Sequence, residues 1–372
     1  MATSVISSQS VILPAVDLSA IQNLLNLVIE KDASDLHIAT GYPPFIRIDG
    51  ILCSIGDKPL TAEQSRQLVF QTMNDSNVKK IEKEYETDYG FSLGNIARFR
   101  VNAFYERGNI AGAFRLIPTK IRTLEELDMP KNMSYLADLT QGFVLLTGPT
   151  GSGKTTTLAA IIEKINQTQN RHIITIEDPI EYIYTAKKSF ISQREIDHDT
   201  KDWMSALKSA LRQDPEVVLI GEMRDYETIS AALTIAETGH LVFATLHTNS
   251  ASQTVDRIID VFPPHQQNQI RVQLANVLQA VVSQKLLNLR SGGRKAAVEI
   301  LIANSAVRNL IREGKSYQID NVIATSLEMG MLTLEQSLVN MVRRGIITVE
   351  EAQSYSLRPE DILKLLKLNK TF

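Results

Sequence analysis

At 372 residues, with 44% hydrophobic and 22% charged side chains, the chain is long enough for two or three domains of ordinary soluble composition. A net charge of −3 excludes an overall basic field for nucleic acid, although a local basic patch remains open. The lone Cys53 excludes an internal disulfide framework and a Cys₄ zinc site, as suits a reducing cytoplasm, and no apolar run reaches the roughly eighteen residues of a membrane span.

The opening stretch MATSVISSQSVILPAV lacks the positive region of a secretory signal and reads as a loose tail over residues 1–16. A first domain is expected over 17–117. Ile21, Leu24, Leu25 and Val28 have the spacing of one apolar helix face. SDLHI and PFIRIDGILCSI then alternate like strands, with Asp49-Gly50 as a hairpin signal. Thr61 with Gln64 forms a capping box that opens a second helix. From Thr87 to Ile117 the pattern is a meander turning near LGN and ERGN, so this domain is expected to be α+β with antiparallel strands.

Residues 118–130 lose the alternation between prolines and read as a linker. Over 131–372 the apolar runs FVLLTG, HIITIE, EVVLIGE and HLVFATLH alternate with helical patterns. Continuous runs of this kind suit strands buried on both faces, hence an α/β domain with a largely parallel sheet. Beyond about residue 306 the pattern is helical. The terminal helix with Ile362, Leu365 and Leu366 beside Lys364 and Lys367 is expected to dock on the protein.

Between FVLLTG and the next helix stands GPTGSGKTT: Gly148, Pro149, Thr150, Gly151, Ser152, Gly153, Lys154, Thr155 and Thr156. This fits G-x-x-x-x-G-K-[ST] in its strand-to-helix setting. Glycines let backbone N–H groups face the phosphates of a nucleotide such as ATP, Lys154 adds a charge for the β- and γ-phosphates, and Thr155 offers a hydroxyl to Mg²⁺. Hydrolysis needs acids at neighbouring strand ends. IITIEDPIEY supplies Glu177, Asp178 and Glu181, and EVVLIGEMRD supplies Glu222, which can hold Mg²⁺ through water or deprotonate the attacking water. The pattern leaves open whether Glu177 or Glu222 is the base. His247 follows the HLVFATLH strand, where it could meet a γ-phosphate, and His240 precedes it; by spacing alone both read as satisfied core histidines. His37, His172, His198 and His265 form no metal-ligand set. In ARFRVNAF, Arg98, Arg100, Asn102 and Phe104 share one strand face, and Arg115 lies on the next strand. These arginines read as solvated unless another subunit's nucleotide lies opposite.

In this order and spacing, GPTGSGKTT, ITIEDPIEY, VVLIGEMRD and TGHLVFATLHTNSA resemble the Walker A, Asp box, Walker B and His box of the secretion ATPase superfamily. The resemblance extends from about Asp17 over nearly the whole chain and implies an N-terminal PAS-like domain before a RecA-like P-loop ATPase domain with C-terminal helices. The absent zinc cysteines fit poorly with the branch that drives pilus assembly and type II secretion. AVRNLIREGK resembles a motif of type IV pilus retraction ATPases, with Ala306, Val307, Arg308, Asn309, Leu310, Ile311, Arg312 and Glu313 as the motor-specific stretch. By periodicity alone this is a helix with Val307, Leu310 and Ile311 inward and Arg308 and Arg312 on an ordinary polar face. The resemblance implies a homohexameric ring using ATP and Mg²⁺, with Arg100 and Arg115 reaching a neighbour's nucleotide and His247 as the second histidine of its box. It also implies a cytoplasmic location under an inner-membrane pilus platform protein, whose turning withdraws pilin. The alternatives are an accessory paralogous retraction ATPase, an assembly motor, a nucleotide-gated scaffold, or a P-loop nucleic-acid translocase, which the acidic pI disfavours.

Overall fold

The chain divides into two units, residues 1–120 with 179–183, and residues 121–178 with 184–372. The computed structural model describes residues 12–48, 50–94, 96–117, 120–289 and 293–368. In the first unit, β1 (Ile12–Leu13), α1 (Ile21–Glu30), β2 (Asp35–Ile38), β3 (Phe45–Ile48) and β4 (Ile51–Ile55) are followed by α2 (Ala62–Phe70) and α3 (Asp75–Glu84). A meander of β5 (Glu86–Leu93), β6 (Ala97–Glu106) and β7 (Asn109–Ile117) completes it.

These strands form a seven-stranded sheet in the order β1-β4-β3-β2-β7-β6-β5. The inward residues of α1, Ile21, Leu24, Leu25 and Val28, are buried against it, as are Phe99, Val101 and Ala103 from one face of β6. The Thr61 hydroxyl accepts the Gln64 N–H at 3.2 Å, and Gln64 Oε1 accepts the Thr61 N–H at 2.9 Å, which completes the capping box. At the β6–β7 turn Arg107 and Gly108 both have positive φ, +51° and +78°, the geometry of a two-residue hairpin that follows the sheet's twist. Gly50 also has positive φ, +82°, between the paired Ile48 and Ile51; Asp49 lies outside the described residues, as does Asn95 in the LGN turn.

Two expectations for this unit need correction. The strands are not all antiparallel, because β1 runs parallel to β4 with Ile12 opposite Ser54. The loose tail expected up to Val16 therefore enters the fold at Ile12, and Leu13 and Val16 pack on the core; residues 1–11 lie outside the described residues. Apolar side chains in an otherwise polar leader found a free sheet edge, which local composition alone does not reveal.

The expected linker is also shorter than 118–130. From Ile121 the chain belongs to the second unit. Thr123 and Glu126 exchange side chain-to-backbone hydrogen bonds of 2.9 and 3.1 Å, Leu124 is buried, and Asp128 pairs with Lys295 and Arg344. Pro118 and Thr119 lie outside the described residues.

In the second unit β8 (Gly142–Thr147), α4 (Lys154–Thr168), β9 (His172–Glu177), β10 (Phe190–Glu195), α5 (Trp203–Ala210) and β11 (Val217–Ile220) lead to α6 (Tyr226–Glu237). They are followed by β12 (Leu241–Leu246), α7 (Ala251–Asp260), α8 (Pro264–Val277), β13 (Leu278–Asn288) and β14 (Arg294–Ile302). The helices α9 (Ser305–Arg312), α10 (Ile319–Thr325), α11 (Leu334–Arg343), α12 (Val349–Tyr355) and α13 (Pro359–Leu368) close the chain. The sheet order is β10-β9-β11-β12-β8-β13-β14, parallel throughout except for the antiparallel pair β13–β14.

Strand β8 shows why its sequence is continuously apolar. Phe143 and Leu145 point into the core that includes residues of α5 to α8, whereas Val144 and Leu146 point into the core beneath α4. Both faces are covered, so no position along the strand meets water. The terminal helix docks as expected, with Ile362 fully buried and Leu365 and Leu366 packed beside α11 residues such as Leu338. The unit is a RecA-like α/β core with a helical C-terminal region.

Candidate nucleotide-binding and hydrolysis site

The carboxyl ends of β8, β9, β11 and β12 point the same way, so the loops after them converge on one edge of the sheet. The loop from Gly148 to Gly153 leaves β8 at that edge. Gly148, Gly151 and Gly153 have φ of +139°, +76° and +88°, backbone that other residues rarely adopt. A Cβ on Gly148 would lie 2.3 Å from the Gln284 carbonyl oxygen of β13, so this position requires glycine for close approach as well.

Gly153 is the N-cap of α4, and no side chain caps it. A glycine N-cap brings no side chain to the first turn at Lys154, Thr155 and Thr156, and the helix dipole favours an anion there. Lys154 is buried, and its Nζ donates to the Gly148 and Pro149 carbonyls at 2.8 and 3.2 Å, which holds the ammonium over the loop. Thr150 and Gly151 are exposed at the rim; Ser152 is buried, and Thr155 and Thr156 are half-buried.

Glu177 ends β9, buried, where its Oε1 accepts the Thr175 hydroxyl at 2.6 Å and Gln193 Nε2 at 3.3 Å. Glu222 follows β11. Its Oε2 accepts Arg224 Nη2 at 2.8 Å, and its Oε1 lies 3.0 Å from His247 Nε2. Partial burial would raise the Glu222 carboxyl, but the Arg224 guanidinium outweighs it, helped by His247 and Lys154, and the group is held below the ordinary carboxylate range. Thr245 of β12 donates to the Gly221 carbonyl at 2.6 Å, which fixes the turn carrying Glu222 against the strand before His247. The arrangement brings together a phosphate cradle, a cation, an ionised carboxylate and an imidazole. Oxygen donors at Thr155 and Glu222 suit Mg²⁺, which takes few protein ligands and keeps waters and phosphate oxygens.

Not every expected residue gathers here. His240 lies at the opposite end of β12, about 20 Å away by strand rise. Its Nδ1 lies 3.0 Å from both the Ile235 carbonyl and the Thr238 hydroxyl, a satisfied structural histidine. Among the described residues no group of His, Cys, Asp and Glu forms a metal-ligand cluster. On the first unit, Arg115 Nε donates to Asp35 Oδ1 at 2.9 Å while its side chain remains 72% exposed. Arg98 Nη1 donates to the Ser92 hydroxyl at 3.0 Å. Arg100 is exposed and 3.9 Å from Glu181, which belongs to the same unit.

The stretch Ala306–Glu313 lies on α9 and just beyond it, with Val307 and Ile311 buried and Leu310 packed on the core. Ala306, Asn309, Arg312 and Glu313 are exposed. Arg308 departs from the expected polar face. Its Nη1 donates to the Ala275 and Asn276 carbonyls at 2.5 and 2.8 Å, and its Nε to the Ala303 carbonyl at 3.0 Å. It therefore ties α9 to the last turn of α8, where unpaired carbonyls favour a cation. Two residues that motif reading passed over also touch the site. Arg224, visible in GEMRD beside Glu222, is its ion-pair partner, whereas Gln284 approaches the loop from β13, a strand that left no motif.

Residues 15–291 match the family described as "Type II/IV secretion system protein". The chain is 48% identical, over 92% of its length and 99% of the relative's, to the type IV pilus retraction ATPase PilT of Pseudomonas aeruginosa. It is 40% identical, over 93% of its length and 91% of the relative's, to the type IV pilus ATPase PilU of the same organism. Among solved structures, that of the pilus retraction motor PilT with bound ADP matches with a TM-score of 0.86 and 45% identity, over 93% of this chain and 99% of that one.

Proposed function

Because the chain belongs to the type II/IV secretion system protein family, we propose that it is an ATP-hydrolysing motor that powers type IV pilus retraction. The observation that carries the hydrolytic half is the loop whose glycines require positive φ and close approach at the start of α4, with Glu222, His247 and Lys154 beside it. The retraction half rests on likeness to PilT along nearly the full length of both chains. Backbone N–H groups of residues 150–156 cradle the phosphates of ATP, and Lys154 neutralises the β- and γ-phosphates. Thr155 and Glu222 would hold Mg²⁺, which would neutralise charge on the phosphates. Glu177 or Glu222 takes the proton as water attacks the γ-phosphorus and the bond to the bridging oxygen breaks. His247, against Glu222, reports the γ-phosphate to the carboxylate.

The first unit is a PAS-like domain in a hexameric ring, and Arg100 and Arg115 serve a neighbouring subunit's nucleotide there. The exposed side of α9 carries the coupling to retraction. The ring works on the cytoplasmic face of the inner membrane beneath a platform protein. No helix among the described residues is long and apolar enough to cross a membrane. ATP turnover against protein concentration, with mass from light scattering, tests the shared site: activity should rise as the six-subunit species appears, and a fully active monomer would refute it. Likeness to PilU supports a second reading, an accessory motor beside a principal one. Expression in cells lacking every retraction ATPase separates the two, because a principal motor restores retraction alone.

A further inference from the structure

The side chain of Gln284 on β13 is almost wholly buried beneath the phosphate loop, 1% exposed, and its Nε2 donates to the Ser152 carbonyl at 2.7 Å. The same strand meets the loop at two more points. The Gln284 carbonyl occupies the space a Cβ on Gly148 would need, and the Ser283 and Thr147 hydroxyls are hydrogen-bonded at 2.7 Å. A Cβ on Gly153 would come within 3.1 Å of Gln284 Nε2. Reversing the amide would set Gln284 Oε1 against the Ser152 oxygen, two acceptors face to face, so the donor orientation is the sound one.

Resting on the ATPase reading above, we propose that Gln284 is a positioning residue for nucleotide binding, which locks the Ser152–Gly153 peptide with its N–H aimed at the phosphates. In a trans peptide the C=O and N–H point in opposite directions. With the Ser152 carbonyl held by Gln284, the Gly153 N–H points the opposite way within the peptide plane, into the concave loop. The peptide bond ahead of a glycine is also the easiest to flip, because glycine accepts either sign of φ. Gly153 stands at φ +88°, and a flip would turn a donor into a carbonyl oxygen facing phosphate. The Lys154 ammonium bonds the carbonyls of Gly148 and Pro149, and Gln284 bonds that of Ser152.

Loop N–H groups contact the α- and β-phosphates, which ADP and ATP share. The lock therefore acts on both nucleotides equally and on ground state and transition state alike. Gln284→Met keeps length and volume but removes the donor. In the full chain it should weaken ADP and ATP binding by about tenfold or more, and raise KM for ATP by a similar factor with kcat nearly unchanged. ADP affinity equal to the parent's overturns the proposal, as does a loss confined to kcat. If Gln284→Met melts earlier than the parent without nucleotide, Gln284→Glu decides across a pH series, since it keeps the heavy-atom shape, donates to the Ser152 oxygen while protonated and opposes it once ionised. Its ADP affinity must fall as pH rises while the parent's stays level, and parental affinity at every pH refutes the lock. A parent protein that binds neither nucleotide refutes the ATPase reading itself.

Discussion

Two glutamates of the second unit, Glu222 and Glu299, are shifted in opposite directions from the ordinary carboxylate range by their surroundings. Glu222 stands after β11 with Arg224, His247 and Lys154 around it, and against the effect of burial the Arg224 guanidinium above all holds its carboxyl below the ordinary range. Glu299, on β14, is buried, and burial pushes its carboxyl up to about 7; Asp320 and Glu335 act the same way, opposed by a hydrogen bond from the Ala251 N–H at 2.7 Å and by the Arg358 charge. The same residue type is a firmly ionised charge at one place and, at the other, a carboxyl that keeps part of its proton near neutral pH. The difference teaches that the loop edge of the sheet supplies a cation to its carboxylate, whereas on β14 burial and neighbouring acids disfavour the charge of Glu299.

Removing the cation at the loop edge should break that contrast most severely. Lys154→Ala leaves the phosphate loop without its point charge, and ATP turnover should fall by on the order of 10³-fold or more. Normal turnover in this variant would remove phosphoryl transfer from the site. The next largest effect separates the two carboxylates that pattern alone left open. Whichever of Glu177→Gln and Glu222→Gln removes the base should lower kcat by at least roughly 10²-fold, while nucleotide affinity stays near the parent's. Equal, small losses from both would mean that neither takes the proton.

Glu299 sharpens the contrast through stability. Its folded pKa, about 7, lies above the 4.5 of an exposed glutamate, so the folded state binds the proton more tightly. Stability is fully present below pH 4.5, falls as pH rises towards 7, and is level above. The difference amounts to about 3 kcal/mol for a group so fully buried. Glu299→Gln keeps an acceptor for the Ala251 N–H and carries no charge. It should match the parent in denaturant unfolding at pH 4.5 and exceed it by about 3 kcal/mol at pH 8. A gap that does not widen with pH would show that Glu299 does not titrate in the folded state.

What the amino-acid sequence disclosed follows the same division. The strand-loop-helix around Lys154 was legible because phosphate binding demands glycines, a lysine and a hydroxyl within a few consecutive residues. Strands β8, β9, β11 and β12 were legible because both of their faces are buried, which forces unbroken apolar runs. Strand β10 was not, since PheIleSerGlnArgGlu is the polar composition of an edge strand. Strand β13 was hidden because α8 passes into it at Val277–Leu278 with no glycine or proline between them. Gln284 was lost with that strand, and Arg308 looked like a surface arginine because its partners, Ala275 and Asn276, lie some thirty residues away in sequence. A contact across such a separation leaves no local pattern.

The smallest effect concerns what keeps Glu222 charged. Arg224 is 75% exposed, so its pair with Glu222 is partly screened by solvent and contributes modestly. Arg224→Ala should change turnover at pH 7 by less than about tenfold. Its mark should appear in the pH profile. With the guanidinium gone, burial is opposed only by His247 and Lys154, so the Glu222 carboxyl rises towards the ordinary range. The acidic limb of kcat/KM should then move to higher pH, and added salt should move the parent's limb the same way while leaving the variant's nearly still. If the limb stays fixed in Arg224→Ala but moves in Glu177→Gln, the limb belongs to Glu177, and the charge built around Glu222 serves the metal rather than the proton.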